Sequence, residues 1–243
     1  MPEGHSLVLA ARRIGPVVGR HVTAGPLAGT EVESVQTRGK HLLVHGADGR
    51  SLHVHLGMNG RVRLAEPGAG RGRYVLRTDA ADVVITGTSR LEVRRRADLR
   101  LGLGPDLLGE RFDGAGYLRR ARVADRPVAE LLLDQRVLAG IGNIVRAEVL
   151  WELRQDPLAP VSTLSDRRLL ELAVVARRML RAGVASGGRL PQRVYRATGR
   201  PCPRCGTRVE SALQGAEAPR RLYHCPGCQR TKRGQTPFGA AGS

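Results

Sequence analysis

The sequence is poor in aromatic residues, which make up 3% of its 243 positions, and it contains only two lysines. With so few aromatic rings, the cores must rest on Leu, Val, Ile and Ala, and few bases of a nucleic acid could stack on side chains. No run of 18 apolar residues is present, and the first dozen residues lack the apolar stretch of a signal peptide. We therefore expect a cytoplasmic protein with no membrane partner.

The charge of the chain is strongly unbalanced, with 40 basic against 22 acidic residues and a net charge of +18. The resulting positive field favours polyanions and predicts salt-sensitive binding to DNA or RNA. A genome whose base composition favours arginine codons would give the same excess of basic residues. The two lysines are Lys40 and Lys232. A lysine kept in so arginine-rich a chain indicates a need for a compact point charge, which makes Lys40 a candidate functional residue.

The chain begins Met1-Pro2-Glu3-Gly4. If Met1 is removed, Pro2 becomes a free secondary amine. An α-amine titrates near pH 8, so an appreciable fraction is unprotonated and nucleophilic at neutral pH. Glu3 would place a proton-transfer group beside it. Taken alone, these residues favour a terminus that proline merely stiffens.

The hydrophobic pattern changes twice along the chain and predicts an α+β protein of three parts. A helix is expected over Ser6–Val18, followed by short alternating strands and glycine-rich turns typical of an antiparallel β-sandwich. The predicted strands are Glu31–Val35, His41–Val44, Leu52–Leu56, Arg61–Leu64, Tyr74–Arg77 and Val83–Thr86. We expect an N-terminal sandwich domain at 1–118, a helical domain at 119–193 and a zinc-finger hairpin with a tail at 194–243.

The helical part has a period near 3.6 over Ala129–Val137, Ile144–Leu153 and Asp166–Ala185. Between the first two of these helices, Gly140-Ile141-Gly142-Asn143 predicts a tight double turn with Asn143 at the N-cap position. The amides of such a helix start can hold a phosphate oxygen. A plain helical hairpin capped by asparagine is the alternative.

All four cysteines lie in the last 42 residues, as Cys202-Pro203-Arg204-Cys205 and Cys225-Pro226-Gly227-Cys228. Two such pairs, separated by a spacer long enough for a β-hairpin, are typical of one structural zinc ion, and we expect no organic cofactor. A disulfide framework is the less favoured interpretation because no secretion signal accompanies the cysteines. The alternation His53-Val54-His55 offers a weaker metal pair, with no third ligand evident nearby in the sequence.

Six motifs in this order resemble the formamidopyrimidine-DNA glycosylase and endonuclease VIII family of DNA repair enzymes. The resemblance covers nearly the whole chain and is stronger toward the endonuclease VIII branch around Val145 and Ala147. The motifs are Met1-Pro2-Glu3-Gly4, Thr37-Arg38-Gly39-Lys40, His55-Leu56-Gly57-Met58-Asn59-Gly60, Leu103-Gly104-Pro105-Asp106-Leu107-Leu108, Leu132 through Ile144, and His224-Cys225-Pro226-Gly227-Cys228-Gln229.

The resemblance implies a bacterial base excision repair enzyme that is both a DNA glycosylase and an abasic-site lyase. Pro2 would attack C1′ of a damaged nucleotide and leave a Schiff base, while Glu3 would supply or shuttle protons. β-Elimination and δ-elimination would then cut the strand. The implied partner is damaged double-stranded DNA, bound by a monomer in the bacterial cytosol or nucleoid.

The resemblance also assigns four DNA-binding residues. Lys40, Asn143 and Arg220 would grip phosphates beside an extruded nucleotide, and Met58 would fill the hole left in the duplex. Leu91–Leu103 departs from the family pattern because it contains no phenylalanine, which many relatives carry in a second void-filling loop. We therefore have no candidate for the residue that reads the opposite base.

The sequence defines the substrate less closely than it defines the reaction. The residues after Asn143 and the short stretch Ala182–Arg193 favour oxidised pyrimidines over the formamidopyrimidine and 8-oxoguanine class. Two further interpretations stay open: a DNA-binding zinc protein without catalysis, and a lyase that acts only on abasic sites.

Overall fold

The computed structural model describes residues 2–215 and 219–229. Met1, whose removal the amine chemistry requires, and the tail from Lys232 to Ser243 lie outside these residues. The helices are α1 (Gly4–Ile14), α2 (Gly114–Ala121), α3 (Val128–Leu131), α4 (Asn143–Glu152) and α5 (Asp166–Ala185). The strands are β1 (Val22–Ala24), β2 (Val32–Arg38), β3 (His41–Gly46), β4 (Arg50–His55), β5 (Arg61–Ala65), β6 (Tyr74–Thr78), β7 (Asp82–Thr86), β8 (Arg90–Arg95), β9 (Glu210–Gln214) and β10 (Arg220–His224).

Strands β1 to β8 form two antiparallel sheets, ordered β1-β6-β7-β5 and β2-β3-β4-β8. Alternate residues of the strands share a face, so Leu42, Leu52, Val54 and their counterparts in the other sheet meet in one buried core. Helix α1 adds Leu7 and Ile14 to this core. The expected sandwich with a leading helix is therefore confirmed, and the six predicted strands are present with ends shifted by at most three residues.

Two strands are not predicted from the sequence. β1 is only three residues long, and β8 alternates Arg90, Glu92 and Arg94 with two apolar residues. β8 is an edge strand whose residues are exposed or half-buried, so it carries a weak hydrophobic signal. It pairs with β4 over the full length of both strands.

The helical part has its own core, built from α2 to α5 and from Leu222 of β10. The sequence predicts a helix over Ala129–Val137, but α3 ends at Leu131. The chain turns there because the Asp134 carboxylate accepts hydrogen bonds from the Arg136 N–H and the Arg126 guanidinium, which stabilise a turn over continued helix. Helix α5 follows the predicted bounds.

The last described segment is the β9–β10 hairpin, which lies between the two cysteine pairs. It packs against α4, and Arg204 stacks on Trp151 of that helix at 4.0 Å. No helix within residues 2–215 and 219–229 has both the length and the apolar character required to cross a bilayer.

Candidate active site

The start of the chain is fixed against the double turn of the helical part. The Gly4 N–H donates to the Gly140 carbonyl at 2.9 Å. Gly140 has a φ of +109°, which favours glycine, and its own N–H donates to Gln135 Oε1 at 3.0 Å. Glu3 and Ser6 form a capping box at the start of α1. These bonds hold Pro2 at the junction of the two parts of the molecule.

The Glu3 side chain is completely buried and caps α4 from outside that helix. Its Oε1 accepts from the Ile144 N–H at 2.7 Å and its Oε2 accepts from the Val145 N–H at 3.3 Å. The prediction that Asn143 is the N-cap is therefore wrong: Gly142 occupies that position, and Asn143 is the first residue of α4. A Cβ on Gly142 would lie 2.5 Å from Glu3 atoms, so a larger residue would displace the carboxylate.

Burial raises the pKa of the Glu3 carboxyl above its usual range, although the Ile144 N–H and the charge of Lys40 act in the opposite direction. A carboxyl with a raised pKa keeps its proton to higher pH and can act as a general acid. Pro2, the neighbouring residue, is half-buried and lines two cavities. A proton donor and a potential amine are thus adjacent.

Lys40 follows a turn that is held in place by Asp106. The Asp106 carboxylate accepts from the Gly39 N–H at 2.8 Å and from the Leu108 N–H at 2.9 Å. Gly39 has a φ of +57°, in the region that favours glycine. Burial lowers the pKa of Lys40 to about 8, while the charge of Glu3 acts to raise it. Lys40 is therefore held close to the buried carboxylate with part of its charge lost in alkaline solution.

A cavity of about 410 Å³ brings five of the six predicted DNA-binding and catalytic residues together. Arg220, on the exposed face of β10, donates from Nη1 to Met58 Sδ at 3.2 Å across the cavity mouth. Met58 itself is 55% exposed. Glu3 lies behind the cavity wall. The five residues are Pro2, Lys40, Met58, Asn143 and Arg220.

A second cavity of about 810 Å³ shares Pro2 and Met58 with the first. Helix α1 contributes Ser6, Leu9, Ala10 and Arg13, and β5 contributes three residues beginning at Arg61. Gly187 and Gly188, which follow α5, complete part of its wall. Pro2 therefore lies between a smaller cavity lined by Lys40 and Arg220 and a larger one, with room for a nucleobase, that is lined by Arg13, Arg61 and Arg63.

Sequence reasoning missed several residues at this site. His55, Thr88, Ser89 and Leu133 also line the smaller cavity. His55 Nδ1 pairs with Ser89 Oγ at 2.8 Å, which packs the Gly87–Ser89 turn against the Met58 loop. His55 belongs to one of the six motifs, but its contact with Ser89 depends on the pairing of β4 with β8 and has no sequence signal.

The segment Leu91–Leu103, which lacks the phenylalanine that the resemblance leads one to expect, lines neither of the two cavities at Pro2. Its first part is β8, and Leu99, Arg100 and Leu101 lie beside His41 and His53. The turn next to Met58 is Gly87–Ser89, which carries no side chain larger than threonine.

The weak metal pair His53 and His55 has a neighbour that the sequence does not reveal. His41, across the sheet, pairs through Nδ1 with His53 Nε2 at 2.7 Å, and His53 Nδ1 pairs with Glu92 at 3.1 Å. Burial, followed by the charges of His55 and His53, lowers the pKa of His41 to about 4. His41 and His53 thus bond each other, the second His53 nitrogen bonds Glu92, and His55 Nδ1 bonds Ser89; these histidines are not among the groups of described residues whose ligand atoms come together for a metal ion.

The four cysteines form a compact group at the base of the hairpin. Among the residues described, theirs is the one group of metal-binding side chains whose ligand atoms come together, all within 4.8 Å of one another. Individual Sγ···Sγ distances of 3.3 to 3.8 Å match the ~3.8 Å edge expected for four thiolates around zinc. The Trp151 indole N–H donates to Cys202 Sγ at 3.3 Å. The donor set and its spacing fit a closed, structural zinc site.

Three parts of the molecule converge on a cation-lined cavity: the β-sandwich, the helix-double-turn-helix unit and the four-cysteine hairpin. Together they define an enzyme of the DNA-repair glycosylase class. Family models agree with this: the formamidopyrimidine-DNA glycosylase N-terminal domain matches residues 8–102, and the formamidopyrimidine-DNA glycosylase H2TH domain matches residues 103–193. The chain belongs to the formamidopyrimidine-DNA glycosylase family.

Relatives cover almost the whole chain. A probable endonuclease 8 2 of Streptomyces coelicolor is 36% identical over 94% of both chains, and the DNA-(apurinic or apyrimidinic site) lyase Nei2 of Mycolicibacterium smegmatis is 37% identical over 84% of both. The crystal structure of the MutM (Fpg) protein of Thermus thermophilus superimposes with a TM-score of 0.78 at 31% identity, covering 94% of this chain and 98% of that one.

Proposed function

We propose that this enzyme excises oxidised bases from double-stranded DNA, with pyrimidines favoured, and then cuts the strand at the resulting abasic site. The position of Pro2 carries the proposal. Pro2 lies between a cation-lined cavity that suits a phosphate and a larger cavity that suits an extruded base, next to a buried carboxyl with a raised pKa. An enzyme that acts on a base within a duplex needs this combination.

In the first step, the Pro2 nitrogen attacks C1′ of the extruded nucleotide once Met1 has been removed. The bond from C1′ to the base breaks, its electron pair leaves with the base, and the base takes up the proton that the Pro2 nitrogen loses. Glu3 donates its proton to the sugar ring oxygen, which opens the ring and leaves an iminium between Pro2 and C1′. The iminium acidifies the 2′ position, so that β-elimination and then δ-elimination release the phosphates on both sides.

The DNA is held by two cations and one amide from separate parts of the chain. Lys40, Asn143 and Arg220 line one cavity from the sandwich, α4 and the hairpin, so they can contact the phosphates beside a single nucleotide. Met58 is exposed and apolar at the same cavity, which suits a side chain that fills the space left by the base. The relatives include a Lactococcus lactis Fpg with DNA containing an abasic site, and at 22% identity that structure supports the fold alone.

One zinc ion would be held by Cys202, Cys205, Cys225 and Cys228. Bound there, it supplies a structural cross-link and no reacting group. The hairpin that carries Arg220 rises between the two pairs, so the ion would fix the distance of Arg220 from the sandwich.

The wall of the larger cavity supports the proposed preference for pyrimidines. Gly187 and Gly188 stand where a longer loop would be needed to enclose a purine, and α5 ends two residues earlier at Ala185. A formamidopyrimidine or 8-oxoguanine glycosylase is the second candidate, because a Geobacter sulfurreducens formamidopyrimidine-DNA glycosylase is 30% identical over 95% of this chain.

Borohydride trapping under single-turnover conditions tests the proposal. Duplexes with thymine glycol, 8-oxoguanine or an abasic site are compared at equal enzyme excess. We expect covalent adducts with all three and faster trapping with thymine glycol than with 8-oxoguanine. Faster trapping with 8-oxoguanine would reverse the preference, adducts with the abasic site alone would indicate a lyase, and no adduct at all would leave only a DNA-binding protein.

A further inference from the structure

Arg146 is the largest fully buried side chain of the molecule, and the groups it bonds are uncharged. Its Nη2 donates to Asn143 Oδ1 at 2.5 Å and to the Arg221 carbonyl at 3.0 Å, and its Nη1 donates to Gln214 Oε1 at 3.4 Å. Burial lowers its pKa to about 10, so it is charged at neutral pH. A buried guanidinium whose acceptors are all neutral is costly for stability, which suggests a functional reason for its presence.

The bond to Arg146 fixes which way the Asn143 amide points. A guanidinium has donors and no acceptor, so only the oxygen of the amide can face Arg146. The amide nitrogen must therefore point the other way, and one of its hydrogens goes to the Arg221 carbonyl at 2.9 Å. Its second hydrogen is left for a ligand in the cavity that Asn143 lines.

The same guanidinium holds both strands of the hairpin beside Arg220. The Arg221 carbonyl belongs to the residue that follows Arg220 on β10, and Gln214 is the partner of Arg220 in the strand register. Arg146 thus joins Asn143 of α4 to the Arg221 carbonyl on β10 and to the Gln214 side chain on β9.

We propose that Arg146 is the positioning residue of the DNA clamp, which turns the Asn143 amide nitrogen toward the phosphate and sets the position of Arg220. The proposal rests on the function proposed above. Arg146 itself does not contact DNA, because it is only 1% exposed.

A double-mutant cycle tests this role with an uncleaved duplex that contains a reduced abasic-site analogue. Arg146→Met should weaken binding by about tenfold, as should Asn143→Ala, and the double variant should bind no more weakly than either single variant. An Arg177→Met variant is the matched control, because Arg177 likewise bonds backbone carbonyls, those of Leu107, Gly109 and Glu110, and lines neither cavity.

Arg146→Lys provides a second readout if the methionine variant does not fold. Lysine keeps the charge but has one compact ammonium in place of the planar fork, so it does not reproduce bonds made from both Nη1 and Nη2. We expect a normal unfolding temperature and zinc content with binding weakened by about fivefold. Wild-type affinity in the lysine variant, or losses that simply add in the cycle, would overturn the positioning role. A wild-type protein that binds the duplex but forms no borohydride adduct would instead contradict the proposed chemistry. The double-mutant cycle would still test the positioning role, because it measures binding alone.

Discussion

Replacement of Gly142 by alanine should damage the site without changing the identity of any reacting residue. The backbone of Gly142 is extended, with φ of −117°, so alanine is allowed there. The new Cβ would lie 2.5 Å from Cγ, Cδ and Oε1 of Glu3, well inside van der Waals contact. The carboxylate must therefore move and release the Ile144 and Val145 N–H groups.

The cost can be worked from the bonds that are lost. Two buried N–H groups without acceptors cost roughly 2–4 kcal/mol together, since the contact to Val145 is the weaker one at 3.3 Å. In a chain of this size that corresponds to a fall of about 10 °C in the unfolding temperature. Because Glu3 leaves its place beside Pro2, trapping on thymine glycol DNA should slow by about 100-fold.

Thermal unfolding followed by circular dichroism and single-turnover trapping measure the two effects. Gly15→Ala is the matched control, because Gly15 has a φ of −47° and no atom lies within 4 Å of the position that a Cβ would take there. It should be neutral or stabilise the protein by about 0.4–1 kcal/mol. If Gly142→Ala unfolds and reacts like the wild type, Glu3 is not held at α4 in the way described.

Three further predictions concern the clamp. Lys40 is fully charged well below its pKa of about 8 and loses its charge as the pH rises through that value. Affinity for an abasic duplex, measured by fluorescence anisotropy, should therefore fall between pH 7 and 9. Lys40→Arg should remove this fall, because arginine stays charged over the whole range. Arg220→Ala should reduce the slope of log affinity against log salt concentration by about one. Arg221→Ala should leave that slope unchanged, because the Arg221 guanidinium bonds Ser211. Equal slopes in the two variants would contradict a phosphate contact by Arg220. Cys225→Ser should lower the zinc content measured by mass spectrometry and weaken DNA binding as much as Arg220→Ala does, and full affinity without zinc would refute the structural role.

Much of the fold could be predicted because its signals are local. The alternation of β2 to β7, the helical period of α5 and the spacing of Cys202, Cys205, Cys225 and Cys228 each depend on residues close together in sequence. The failures have a common cause. Glu3 caps α4 from 141 positions away, so the local pattern assigned that task to Asn143.

Contacts between residues far apart in sequence were also missed within the candidate site. Arg146 lies on a helix whose hydrophobic pattern identifies it only as a charged interruption, and its contacts with Gln214 and Arg221 span 68 and 75 positions. The role of the Gly87–Ser89 turn likewise depends on β8, an edge strand with little apolar character. Motifs thus identified Pro2, Lys40 and Arg220 as candidates, while the contacts that hold such residues in place became evident only from the tertiary structure.

The central claim is that the amine of Pro2 forms the covalent bond to DNA. Its most direct test is mass spectrometry of the peptide carrying the borohydride-reduced adduct on an abasic-site duplex. We predict an N-terminal peptide that begins at Pro2, without Met1, and carries the sugar remnant on the proline nitrogen. An adduct on Lys40, or an adduct formed by protein that retains Met1, would contradict the account.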